Sequence, residues 1–145
     1  MKKYLLALLI LLLFPSDAGT ELGKLIPVEA VRIASDRGQI TMTTDTGNRG
    51  KGETLAQAVA ALKESAPGTI YLETADYLLL SGEVPTGDLL TWFRPSAEIC
   101  RGDTDPKQAA EYLHTHNPGH TLRDLRAGKT DLPKLAEGEG GFRLE

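Results

Sequence analysis

The sequence is short of several features that would announce a function. It holds one cysteine, Cys100, so no internal disulfide can form and packing alone must hold the domain together. That cysteine lies far downstream of the apolar N-terminal run, so the cysteine that would carry a lipid directly after such a run is missing. The run itself, Tyr4 to Phe14, falls short of the roughly 20 residues that cross a bilayer as a helix. No long block of like charge interrupts the chain, and its formal net charge is −4. These properties exclude a general attraction to nucleic acid or to anionic lipid.

Complete catalytic and binding motifs are missing too. No serine stands in a G-x-S-x-G setting, and Cys100 lacks a basic context that would obviously activate its thiol. Asp103-Thr104-Asp105 begins like half of a calcium loop, but Gln108 stands where that loop needs glycine and His114 where it needs glutamate. Thr46 to Thr54, TGNRGKGET, sits between a strand-like and a helix-like run, which is the place of a phosphate-cradling loop. A Walker loop needs glycine, four residues, Gly-Lys and then a hydroxyl. Counted from Gly47 the second glycine is Gly52, and Glu53 follows it instead of lysine. The stretch therefore reads as a turn whose Thr54 caps the next helix.

What the chain does have begins with Met1-Lys2-Lys3, the apolar run, and Pro15-Ser16-Asp17-Ala18-Gly19. A basic start, an apolar centre and small residues at Ser16 and Ala18 form a secretory signal, residues 1–18, cleaved after Ala18; an uncleaved anchor is the alternative. Either reading places the folded part outside the cytoplasm. Cleavage removes Lys2, Lys3 and Asp17 and leaves 14 cations against 19 anions, net −5. Cys100 is then a small buried hydrophobe, the commoner state of free cysteine, or a thiol that links two chains in a disulfide dimer.

Residues 19–26 read as a linker and residues 27–135 as a single domain. Val28 to Ala34 and Gln39 to Thr44 alternate apolar and polar residues around Ser35-Asp36-Arg37-Gly38, which predicts a β-hairpin. Leu55, Ala58, Val59 and Leu62 mark an amphipathic helix, with Thr54 and Gln57 as a capping box and Ala66-Pro67-Gly68 as its stop. Thr69 to Leu72 and Tyr77 to Leu80 read as buried strands. A short helix capped by Thr86-Gly87-Asp88 holds Leu89, Leu90, Trp92 and Phe93. Ala97 to Cys100 reads as a further strand, Pro106 opens a helix, and Thr121 to Ala127 forms a weak one. Beyond Gly128 the chain looks irregular or extended, and residues 136–145 read as a mobile glycine-rich tail. The pattern predicts an α+β fold, a small mixed or antiparallel sheet with a β-hairpin and about three helices packed on it.

His114, His116 and His120 are the three histidines of the chain and lie within seven residues. With Asp103, Asp105 or Glu111 they are the candidate set for a small extracytoplasmic metal-binding protein or hydrolase. Asn117-Pro118-Gly119 marks a helix end in their midst, and the spacing lacks the tightness of zinc motifs. The residues therefore name no catalytic, cofactor or metal site.

The order of segments resembles the N-terminal domain of the Ger(x)C family, the C subunits of bacterial spore germinant receptors. The similarity rests on the hairpin from Pro27-Val28-Glu29-Ala30 to Thr43, the glycine-rich loop ending in a hydroxyl, and the helix Thr54-Leu55-Ala56-Gln57-Ala58-Val59 to Leu62. Ser65-Ala66-Pro67, the strands with Tyr71 and Tyr77-Leu78-Leu79-Leu80, Gly82-Glu83, and Leu89-Leu90-Thr91-Trp92-Phe93 complete it. It covers Pro27 to Phe93 and extends towards Cys100. Members of that family are longer lipoproteins, so lipid anchoring does not carry over, and the resemblance implies a short paralogue or a fragment. It also implies a non-enzymatic role in spore germination, beside polytopic membrane receptor subunits on the outer face of the cytoplasmic (spore inner) membrane. The family has no catalytic motif to match, so no residue inherits a role from it.

Overall fold

The computed structural model describes residues 25–128 and 131–145; the expected signal, residues 1–18, and most of the linker lie outside them. The fold is α+β, as expected. Its centre is a mixed five-stranded sheet in the order β4-β3-β2-β6-β7, built from β2 (Ala30–Asp36), β3 (Gln39–Thr44), β4 (Arg49–Gly52), β6 (Tyr77–Ser81) and β7 (Glu98–Arg101). β2, β3 and β4 pair antiparallel, whereas β2, β6 and β7 pair parallel. The predicted hairpin is β2–β3, closed by Arg37 (φ 53°) and Gly38 (φ 77°). Two positive φ values between directly paired Asp36 and Gln39 make this the tight turn whose twist matches the strands.

The glycine-rich stretch is a turn only at residues 46–48. Arg49–Gly52 is the edge strand β4, and α1 (Leu55–Ser65) lies directly on it. Gly50 faces the helix, and a Cβ there would strike the Ala58 carbonyl oxygen and the Leu62 amide; a Cβ at Gly52 would strike Gln57 and Ala58. The glycines serve a close approach between helix and strand, which depends on residues five to twelve positions away on another element. The helix start is as expected: Thr54 Oγ1 accepts from Gln57 N–H at 3.1 Å. The Gln57 side chain accepts instead from Glu53 N–H, one residue before the cap, at 2.9 Å.

Strand alternation divides the core in two. Val31, Ile33, Ile40, Met42, Leu78, Leu80 and Ile99 point to α1, and Leu89, Phe93 and Leu122 close that layer. Ala30, Tyr77, Leu79 and Cys100 point to the other face, covered by α2 (Pro106–Leu113) through Ala109, Ala110 and Leu113. Helices on both faces explain why β6 reads as an unbroken apolar run instead of an alternating one. Asp105 caps α2 by accepting from Gln108 N–H, with Pro106 in the first turn. α3 (Leu122–Arg126) starts from a reciprocal capping box between Thr121 and Asp124, at 3.3 and 3.0 Å.

Three segments differ from their expected form. Leu25 and Ile26, expected in the linker, belong to β1 (Leu25–Pro27), which pairs parallel with β5 (Thr69–Tyr71). β1 runs into β2 and β5 into β6, so this ribbon continues the β2–β6 pair beyond a break. A 3₁₀ turn, Leu72–Thr74, fills the break. Thr74 Oγ1 stitches it by accepting from Val28 N–H at 2.9 Å, while Asp76 N–H donates to the Glu29 carbonyl at 2.8 Å. The expected helix after Thr86 is a second 3₁₀ turn, Thr86–Thr91, preceded by Pro85 and without a side-chain cap. The expected irregular tail is a hairpin of β8 (Leu135–Gly138) and β9 (Gly141–Leu144). Leu135 is buried in the α2 layer, and Phe142 packs on Tyr112 at 5.7 Å between ring centres.

Candidate functional site

Because β2, β6 and β7 are parallel, their C-terminal ends form one rim of the sheet and their N-terminal ends the other. A crevice opens at the C-terminal rim. A cleft of about 270 Å³ opens beyond β6 and β7, with Leu80, Val84, Leu125 and Leu132 as its apolar wall and Glu83, Thr86 and Arg101 at its polar mouth. Gly82 makes the turn out of β6 with φ 75°, where its backbone passes so close to the Ser35 carbonyl that no side chain would fit.

One row of residues across the α1 face leads into this cleft: Gly50, Met42, Ile33, Leu80 and Arg101. The first four are buried and Arg101 is exposed. An arginine thus takes the place that the alternation reserves for a core residue. Its guanidinium has no carboxylate partner among the described residues. The signal was in the sequence: Ile99 and Arg101 stand two apart on one strand, so a charge follows a core position.

The opposite rim carries titratable groups. Ala30, Tyr77 and Glu98 are aligned on the α2 face. His114, at the C-terminal end of α2, sets Nε2 against the Glu29 carboxylate, and its Nδ1 lies 3.4 Å from the Tyr77 hydroxyl. Burial, and after it the Glu98 and Glu29 carboxylates, push the Tyr77 hydroxyl above the usual phenol range. Burial likewise raises the Glu98 carboxyl above the usual carboxylate range.

The other two histidines belong elsewhere. His116 stacks flat on Tyr112, with ring centres 4.2 Å apart, and His120 Nδ1 lies 3.3 Å from the Pro118 carbonyl. Asp103 pairs with Arg32, Asp105 caps α2, and Glu111 lies exposed on α2. His114, His116 and His120 therefore do not converge, and no trio of His, Cys, Asp or Glu among the described residues is placed to share a metal ion. Cys100 is fully buried between α2 and the sheet. Burial, followed by the Glu98 carboxylate, pushes its thiol up to about 12. A protonated, enclosed thiol is not the exposed group that an inter-chain disulfide or a nucleophile requires.

The β1–β5 ribbon presents Leu25, Pro27, Thr69 and Tyr71 on its outer side. Leu25 keeps 43% and Tyr71 36% of its surface exposed, and they are the exposed large hydrophobic residues among those described. No helix among the described residues is long and apolar enough to cross a membrane. No protein-family model, curated protein or solved structure matches the chain.

Proposed function

We propose that the protein is a non-enzymatic extracytoplasmic interaction domain working beside the membrane, as an accessory to membrane-embedded receptor subunits of the kind the Ger(x)C resemblance implies. The observation that carries this reading is the outer side of the β1–β5 ribbon. Leu25 and Tyr71 stand exposed where the chain enters the fold from its apolar N-terminal run. Residues 15–24 between that run and the ribbon span at most about 35 Å even when fully extended. A ribbon on so short a tether lies at the membrane surface while the apolar run is engaged, and its apolar side is placed to meet a membrane-embedded partner. After cleavage, the same side would have to hold the protein to that partner.

Co-purification tests this reading. The tagged full chain, expressed in the organism that makes it and extracted from membranes in mild detergent, should bring down a polytopic membrane protein. Deleting the gene should slow germinant-triggered loss of spore refractility. A chain recovered free in the medium, with no membrane partner and no germination defect on deletion, would remove the proposal.

A further inference from the structure

The cleft beyond β6 and β7 lies at the rim opposite the ribbon and takes no part in the membrane-proximal role. Three features coincide there. It lies outside the C-terminal ends of two adjacent parallel strands. Its wall is aliphatic and partly solvent-open, through Val84, Leu125 and Leu132 beside buried Leu80. At its mouth the row of core residues ends in Arg101, whose guanidinium is without an ion-pair partner among the described residues.

We infer that this cleft binds a small organic carboxylate with a compact branched apolar body, its carboxylate on Arg101 and its body among Leu80, Val84, Leu125 and Leu132. A guanidinium offers parallel N–H donors that match the two oxygens of a carboxylate. Apolar walls with one charged anchor are the usual build of a small-molecule site. Glu83, at the same mouth, sets the selectivity: it repels a second anionic group, so monocarboxylates are favoured over dicarboxylates. A cleft of about 270 Å³ has room for a body of five or six carbons. The competing arrangement is an arginine that merely lays its stem over Leu80 and keeps its head in water.

Titration with 4-methylpentanoate, followed by methyl and amide NMR of the purified exported protein, separates the two. Binding should saturate with a dissociation constant of about a millimolar, as expected for so small a ligand. The shifts should map to Leu80, Val84, Leu125 and Leu132. Arg101→Gln should weaken binding by about tenfold or more while the rest of its spectrum stays native. Glu83→Gln should tighten it several-fold, and the uncharged 4-methylpentanamide should not saturate. Shifts that never saturate, equal binding by Arg101→Gln, equal binding of the amide, or no tightening in Glu83→Gln would each overturn the assignment.

Discussion

Gly50 and Gly52 stand on the edge strand β4 with α1 directly above them, and each is closed off by helix backbone. A methyl group at Gly50 forces the helix away from the sheet and opens the layer built on Ala58 and Leu62. Gly50→Ala should therefore cost about 1–3 kcal/mol, the usual range for overpacking a tight contact, as read by urea denaturation. Arg37 presents the opposite case, a side chain in the left-handed region with open space around its neighbour Gly38. Asparagine tolerates that conformation better, so Arg37→Asn should raise the melting temperature. Cys100 makes a kinetic statement. Enclosed and held protonated, its thiol should resist a thiol-specific disulfide reagent at pH 8 in the native protein and react as soon as denaturant opens the core. Prompt labelling of the native protein would place the thiol elsewhere. Burial of Cys100 was legible from residue type alone; the role of Gly50 was not, because the atoms that demand it lie on another element.

Elements that were legible share one property, a signal that is complete within the segment. β2 and β3 alternate, α1 carries its apolar stripe and its cap, and α2 and α3 begin at Asp105 and Thr121 with side chains that satisfy free N–H groups. The elements that were not legible are short and rely on a distant partner. β1 has three residues and acquires its form from β5, and β8 has four and depends on the β9 pairing and on the burial of Leu135. Of the candidate cleft, only Arg101 left a trace in the sequence, since its wall comes from β6, the following turn, α3 and Leu132. Thr74 joins the ribbon to the sheet. Thr74→Val keeps the shape but leaves the Val28 N–H without its acceptor, and should cost about 1–3 kcal/mol.

At the N-terminal end of β7, the folded protein raises the Glu98 carboxyl pKa through burial. A carboxyl with a raised folded-state pKa binds its proton more readily folded than unfolded. Its contribution to stability is then full below the unfolded value and is lost as pH rises through the folded value. Glu98→Gln should accordingly raise the melting temperature at pH 7, and the advantage should fade as the solution is acidified through the carboxylate range. An advantage that persists at pH 3 would assign the effect to packing instead of charge.

The whole molecule has two unlike ends. β2, β6 and β7 all run from the rim with the ribbon, Tyr77, Glu98 and His114 towards the rim with Arg101 and the aliphatic cleft. Leu25, where the described chain begins, therefore stands at one end of the domain, and the proposed small-molecule site at the other. The proposed membrane-side contact and the proposed ligand site then lie at opposite rims of one sheet. A photo-crosslinking amino acid placed at Tyr71 in the full chain tests the ribbon's proposed membrane-proximal role most directly. The control position is Arg37, at the far end of β2 and about 23 Å of strand away. Illumination in the producing organism should link position 71, and not position 37, to a polytopic membrane protein or to lipid. Links to soluble proteins alone, or equal yields at both positions, would contradict the membrane-proximal assignment.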